Sequence, residues 1–346
     1  MGLFDVDINK HIIKNEEILS YDYIPQKIPY RENQIQEIAN SIKPMLNERS
    51  GSNLFIYGAP GIGKTASIKW VLKELEETTD EIIPIYINCW NLKTKYFIFS
   101  KIANKLNLAF TAGKSSEHVL QHIIYKLKNK KPVFVFDEID KIESTDFLYQ
   151  ITSNFPSACI HLISNKFDYV TKIDPRIKSR IILKNLEFRP YNLEEINGII
   201  KERAEKALKK NAINPEHIKQ ISNITYNKKD VRVGIYLLKE SAKIAEQRGK
   251  NKIEKEDIKK AIDSSLDKKP DEEKLSKDES LILEIVKDND GEIAGKLYEE
   301  YESKKGKLSY KSFKRYAKRL EKLGLLKLKR TEGGFKGRST RMFIKN

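Results

Sequence analysis

Cysteine is almost absent: of 346 residues only Cys89 and Cys159 carry a thiol, and both sit inside apolar runs. Two isolated thiols imply neither a disulfide framework nor a thiolate metal site. No apolar run approaches the roughly 20 residues needed to cross a bilayer. The opening Met1-Gly2-Leu3-Phe4-Asp5 has neither the basic start nor the apolar core of a signal peptide, and Val6 breaks the myristoylation pattern. An intracellular, cytoplasmic protein with no membrane partner is therefore expected. Internal repeats and low-complexity tracts are also missing. The length leaves room for two or three domains of about 100 to 200 residues each.

Acidic residues are in short supply too, 49 against 65 Lys or Arg, and the deficit is local. From Ser303 to Asn346 sixteen basic residues face only Glu321 and Glu332, a net +14, whereas the other 302 residues carry +2. One basic module on a nearly neutral body points to a polyanionic partner, nucleic acid first of all.

What is present is most specific at Gly58-Ala59-Pro60-Gly61-Ile62-Gly63-Lys64-Thr65, which fits G-x-x-x-x-G-K-[ST] between the apolar run Asn53 to Tyr57 and a helical stretch from Ala66. Such a loop turns backbone N–H groups onto phosphates, while Lys64 neutralises the β and γ groups and the Thr65 hydroxyl ligates Mg²⁺. Val133-Phe134-Val135-Phe136-Asp137-Glu138 reads as a buried strand ending in two carboxylates, a Walker B pattern. Asp137 is placed to hold Mg²⁺ through water and Glu138 to orient and polarise the attacking water. ATP or ADP with Mg²⁺ is the expected cofactor set.

Further strands are predicted at Ile82 to Asn88, an edge strand because it contains Pro84, at Ala158 to Ser164 and at Leu183 to Phe188. With helices at Arg31 to Leu46, Tyr96 to Leu106 and Ser116 to Leu127, they describe an α/β fold with a five-stranded parallel sheet and its ligand at the strand C-termini. Ile12 to Pro25 reads as a loose arm. Beyond Phe188 strands cease, and Asn192 with Glu195 opens a helical domain in the manner of a capping box. The polar run Asp267 to Lys274, with Pro270, reads as a linker. The expected domains are thus 1–190, 191–266 and 275–346.

In the last of these, Ser309 caps a helix running to about Leu323, with Phe313, Tyr316, Ala317, Leu320 and Leu323 on one face and Lys311, Lys314, Arg315, Lys318, Arg319 and Lys322 largely on the other. Gly324 ends it. Leu325 to Arg330 and Arg341 to Lys345 read as strands around a loop with Gly333, Gly334 and Gly337, bearing Lys336 and Arg338. Helices followed by a basic hairpin describe a winged helix-turn-helix. Its expected DNA contacts are Ser309, Lys311, Ser312, Lys314, Arg315, Lys318, Lys336, Arg338 and Arg341.

Over nearly its whole length the chain resembles the AAA+ replication initiators of archaea, relatives of the eukaryotic origin recognition complex and of the cell-division-cycle helicase loader. Ile28-Pro29-Tyr30-Arg31-Glu32 looks like the family's entry motif beside the adenine, and Ile87-Asn88-Cys89 continues as its second strand does. Ser164-Asn165 resembles sensor 1, which implies that Asn165 meets the γ-phosphate or attacking water. Asp174 to Arg180 looks like the box that carries an arginine finger, Arg180 first and Arg176 as runner-up. Phe188-Arg189-Pro190-Tyr191 resembles the hinge into the lid, and Lys229-Asp230-Val231-Arg232 the sensor 2 motif, with Arg232 on the phosphates. Lys229 departs from the family, which usually has glycine there. Leu106 to Ser116 stands in the place of an initiator-specific insertion that also touches DNA.

The resemblance implies a nucleotide site formed by Ile28, Tyr30, Arg31, Gly58 to Ala66, Tyr191 and Arg232, with Lys64, Asp137, Glu138, Asn165, Arg180 and Arg232 acting on ATP and with Thr65 and Asp137 holding the metal. It implies a nucleoid-associated ATPase that recognises origin duplex DNA, with slow hydrolysis as a switch, and that meets other initiator subunits and the replicative helicase. The alternatives are an AAA+ DNA motor of branch-migration type and a nucleotide-gated transcription regulator. Two other features are set aside. His118 and His122 lie four apart but lack a third metal ligand. The carboxylates Asp137, Glu138 and Asp140 suggest a two-metal nuclease only if their position after a Walker strand is ignored.

Overall fold

Alternating apolar side chains explain how the central sheet is covered on both faces. In a computed structural model describing residues 11–90, 92, 94–108, 113–267, 276–304, 306, 308–322, 325–330 and 340–344, five strands pair in parallel in the order β2-β3-β4-β1-β5. They are β1 (Asn53–Tyr57), β2 (Ile82–Asn88), β3 (Lys131–Asp137), β4 (Cys159–Ser164) and β5 (Leu183–Glu187). Phe55, Ile85, Phe134, Phe136 and Leu162 point to one face, under α3 (Lys95–Lys105), α4 (Ser116–Lys126) and α5 (Asp146–Asn154). Leu54, Ile56, Val133, Val135 and Ile163 point to the other, under α1 (Glu32–Ile42) and α2 (Lys64–Thr78). A strand period of two assigns neighbours to opposite faces, and burial on both faces makes β1, β3 and β4 almost continuously apolar, whereas the edge strand β5 carries Lys184, Asn185 and Glu187 exposed. Pro84 lies in the edge strand β2, as expected of a residue that cannot donate to a ladder.

Parallel pairing puts every strand C-terminus on one rim. Tyr57 is in register with Ser164 and Asn88 with Asp137, so the phosphate loop, the end of β3 and the end of β4 converge there. The short helices α6 (Tyr169–Lys172) and α7 (Pro175–Lys178) follow β4.

After β5 the chain builds a helical bundle from α8 (Leu193–Ala207), α9 (Pro215–Lys228), α10 (Val231–Gln247) and α11 (Lys255–Asp267). The capping box that opens α8 forms: Glu195 N–H donates to Asn192 at 2.9 Å and Asn192 N–H to the Glu195 carboxylate at 2.8 Å. The expectation of a loose arm over Ile12 to Pro25 is corrected here. Ile12, Ile18 and Leu19 are buried in the bundle's core. Glu246 accepts the Ile13 N–H at 2.8 Å, Arg203 donates to the Ile18 carbonyl at 2.6 Å, and Glu16 pairs with Lys239 and Lys243 at 2.9 and 2.8 Å.

Residues up to Asp263 form one compact unit and those from Ser264 another. The second contains α12 (Lys277–Asp288), α13 (Ala294–Ser303), α14 (Tyr310–Lys322) and the antiparallel pair β6 (Leu326–Arg330) and β7 (Thr340–Ile344). Its own core joins Ile282, Ile285, Leu297, Tyr301, Phe313 and Met342. Three helices and a strand pair form a winged-helix arrangement. The expected linker from 268 on, Leu323, Gly324, and the hairpin tip with Gly333, Gly334, Lys336, Gly337 and Arg338 lie outside the described residues, as does 109–112 of the expected insertion.

Candidate functional site

At the end of β1 the chain must reverse into α2 within six residues, and Gly63 makes the last step with φ +94°. Lys64 thereby becomes the first residue of α2, and its amine folds back into the loop. It donates to the Gly58 and Ala59 carbonyls at 2.7 and 2.8 Å and to Asn165 Oδ1 at 2.8 Å. Burial of the amine lowers its pKa to about 8, against the opposing pull of Asp137 and Glu138.

Asp137, at the end of β3, is only 2% exposed. Its carboxylate accepts from the Thr65 hydroxyl at 2.6 Å, the Tyr86 hydroxyl at 2.7 Å and the Glu138 N–H at 2.9 Å. Glu138 turns out of the strand with φ 54° and ψ 40°. Its carboxylate accepts the Asn165 amide at 2.7 Å, so one asparagine ties Lys64 to Glu138. Asp140 is engaged separately by the Ser164 hydroxyl at 2.9 Å.

A polyphosphate beside Lys64 restores an ordinary lysine pKa and so takes up a proton wherever the free amine is neutral. With the free value near 8, uptake is expected to rise from close to none at about pH 7 to almost one proton per nucleotide at about pH 9. Calorimetry of ATP binding in buffers of different ionisation enthalpy measures this directly. Equal heats in all buffers at the higher pH would refute the shift.

The helical bundle reaches the same loop. The Val231 N–H donates to the Gly61 carbonyl at 3.2 Å, and Gly61, at φ +69°, has no room for a Cβ against the Asp230 carboxylate. Arg232 is held by that carboxylate, Nη2 to Oδ2 at 2.6 Å. The preceding Lys229 adopts φ 54° and ψ 26°, the left-handed conformation that a glycine accepts without strain, which accounts for the family's usual residue there.

Together these parts line a cavity of about 320 Å³. Of the expected residues, Ile28, Pro60, Gly61, Gly63, Lys64, Thr65, Ala66, Asp137, Glu138, Asn165, Tyr191 and Arg232 line it. Gly58, Ala59, Ile62, Tyr30 and Arg31 are not in its wall. The buried Arg31 instead donates to the Ile62 and Arg189 carbonyls at 3.1 and 2.8 Å and stacks on the Tyr191 ring at 3.7 Å, locking the phosphate loop to the hinge. Tyr30 is exposed at φ 61°. Sequence reading missed Tyr21, Asp22, Tyr23 and Pro25 of the arm and Arg203 of α8, which all line the cavity. Their signal was an aromatic and proline cluster in a segment read as loose.

Arg180 and Arg176 lie outside the cavity. Arg180 is exposed, over the Tyr149 ring at 4.6 Å, and Arg176 is tied to Asp174 at 2.8 Å. His118 and His122 have Nε2 atoms 3.0 Å apart on α4, and among the described residues no group of three metal ligands forms.

On α14 the apolar face is buried through Phe313, Ala317 and Leu320. Lys311, Arg315 and Lys318 are exposed, and Lys314 lies over the Tyr310 ring at 5.1 Å. Ser309 caps the helix loosely, accepting the Ser312 N–H at 3.4 Å. Arg319 is drawn off to the buried Glu279 at 3.1 Å, and Arg341 donates to the Gly291 carbonyl at 2.8 Å.

Comparison with known proteins agrees with this architecture. A Cdc6 AAA+ ATPase-type lid domain matches residues 197–263, and an AAA domain matches 47–164. ORC1-type DNA replication protein 1 of Sulfurisphaera tokodaii is 34% identical over 264 residues, spanning 72% of this chain and 66% of that protein. Its namesake from Archaeoglobus fulgidus is 32% identical over 279 residues, spanning 76% of this chain and 68% of the relative. The chain thus aligns over about two thirds of these relatives' length. The structure of Aeropyrum pernix ORC1 in complex with DNA superposes with a TM-score of 0.83 at 25% identity, covering 96% of this chain and 94% of that one.

Proposed function

Because the chain belongs to the ORC1-type family of AAA+ DNA replication proteins, we propose that it is a replication initiator that binds origin duplex DNA and uses ATP binding and slow hydrolysis as a switch. The observation that carries this reading is a cavity walled by Lys64, Asn165, Glu138, Thr65 and Asp137 in a chain that also bears a basic winged-helix unit. The likeness to an ORC1 protein solved with DNA supports the second half.

In this reading ATP lies with its phosphates over the loop. Lys64 exchanges its carbonyl partners for the β and γ oxygens, and Arg232 leaves Asp230 for the same charge. Water held by Glu138 attacks the γ-phosphorus in line, the bond to the β–γ bridging oxygen breaks, and ADP and phosphate result. Asn165, bonded to both Lys64 and Glu138, keeps the charge-neutralising and water-orienting groups in one frame. The Thr65 hydroxyl and the Asp137 carboxylate are hard oxygen donors 2.6 Å apart, a pair that suits Mg²⁺. Bound there, the ion would neutralise phosphate charge. Arg180, exposed and outside its own cavity, is suited to act on the nucleotide of a neighbouring initiator subunit.

The test is a genome-wide map of the DNA bound by the full chain. A dominant peak at a replication start is expected. Occupancy confined to promoters would assign a nucleotide-gated transcription regulator instead, and DNA-stimulated multiple turnover by a stable hexamer would assign a motor.

A further inference from the structure

Tyr86 belongs to none of the motifs above, yet its hydroxyl reaches the Asp137 carboxylate. We propose that Tyr86 is a positioning residue for the divalent cation: it fixes the Asp137 carboxylate so that the Thr65 hydroxyl presents its lone pairs to the metal. The proposal rests on the nucleotide reading of the site and names a residue that this reading does not use.

The geometry is specific. Tyr86 and Thr65 both donate to the same oxygen, Asp137 Oδ2, at 2.7 and 2.6 Å, while Oδ1 takes the Glu138 N–H at 2.9 Å. A threonine hydroxyl has one proton, and committing it to Oδ2 leaves its lone pairs directed away from the carboxylate. A carboxylate can only accept, so the phenol is the donor of this bond. The β2–β3 register explains the reach. Asn88 stands opposite Asp137, and Tyr86, two residues earlier, shares its face of the sheet, on the side of α2. Lys69, one turn beyond Thr65 on α2, lies over the Tyr86 ring at 5.0 Å, so ring and helix are held together apart from the hydroxyl.

Tyr86→Phe removes one oxygen and keeps that packing. Asp137, 2% exposed, would lose one of two hydroxyl donors and with it the fixed direction of its carboxylate. Groups that orient metal ligands typically change metal affinity 10- to 100-fold when removed. The experiment is electron paramagnetic resonance of Mn²⁺ titrated into the full chain saturated with ADP. Mn²⁺ binding is expected to weaken by about 10-fold or more in Tyr86→Phe, while ADP affinity in EDTA stays within about twofold. In an Asp137→Asn background the same change should add almost nothing, since the two act through one contact. A ring-fluorinated tyrosine at position 86, which keeps the ring but makes the hydroxyl more acidic, is expected to shift Mn²⁺ affinity even if Tyr86→Phe folds poorly. Unchanged Mn²⁺ affinity in a folded Tyr86→Phe protein, equal losses with and without metal, or no shift with the fluorinated residue would overturn the proposal. If the wild-type chain binds no ADP at all, the nucleotide reading itself fails, which is a separate outcome.

Discussion

Lys64→Ala is expected to weaken ATP binding by at least about 100-fold, whereas Glu138→Gln should leave binding nearly intact and lower hydrolysis by about 100-fold or more. The first magnitude follows from charge-assisted hydrogen bonds of about 1.5 to 3 kcal/mol each. Two such bonds from one amine to phosphate oxygens amount to about two to four orders of magnitude in affinity. Lys64 is already desolvated and already aimed into the loop, with its amine on the Gly58 and Ala59 carbonyls, so little ordering cost opposes the exchange. The second magnitude is that of a positioned general base, about 10²- to 10⁴-fold. Glutamine can still accept the Asn165 amide that Glu138 accepts now at 2.7 Å, so the frame of the site should survive. Fluorescence titration with a labelled nucleotide and single-turnover hydrolysis separate the two effects. Wild-type turnover in Glu138→Gln would remove Glu138 from the water-orienting role. Retained ATP affinity in Lys64→Ala would remove the phosphates from this loop.

The parts of this site that were legible in the sequence are those fixed by short spacing. Gly58 to Thr65 and Val133 to Glu138 declare a turn and a strand end within eight and six residues, and Pro84 marked the edge strand by the donor it lacks. Arg232 was placed at the cavity wall by its motif alone, although its bond to Asp230, two residues away, only appears in the fold. What escaped sequence reading depends on contacts across long stretches of chain. Ile13 is held by Glu246 and Ile18 by Arg203, so the aromatic and proline cluster at 12–25 becomes a wall of the cavity only through contacts made far along the chain. Arg31 shows the same limit in a different form. Its motif signalled a place beside the nucleotide, but the guanidinium reaches the Ile62 and Arg189 carbonyls and not the cavity. Tyr86 was invisible for a third reason: an alternating strand makes every second aromatic look like core, and only the register with β3 brings its hydroxyl to Asp137.

The second large effect is expected of the unit from Ser264 to Asn346, which has its own apolar core and so is a reasonable fragment to express alone. It is expected to bind duplex DNA with an affinity that collapses as salt rises. Neutralising four to six phosphates gives a slope of roughly −4 to −5 for log K against log salt, so a fourfold rise in salt should weaken binding by about 250- to 1,000-fold. The basic residues of this unit supply two distinguishable terms. Arg315, if it reads a base edge, should on replacement by alanine erode sequence preference by about 1 to 3 kcal/mol. Lys336→Ala, in the basic segment between β6 and β7, should weaken all sequences alike and reduce the slope by about one. Arg319 is a poor probe of either term, because its ion pair with the buried Glu279 at 3.1 Å makes its removal a stability change first. Arg341 is likewise committed to the Gly291 carbonyl at 2.8 Å and is expected to support the hairpin more than the DNA. Fluorescence anisotropy over a salt series, with circular dichroism to establish folding, decides the matter. A folded fragment without salt-sensitive binding would remove the DNA-binding role from this unit, and the initiator reading would fall with it.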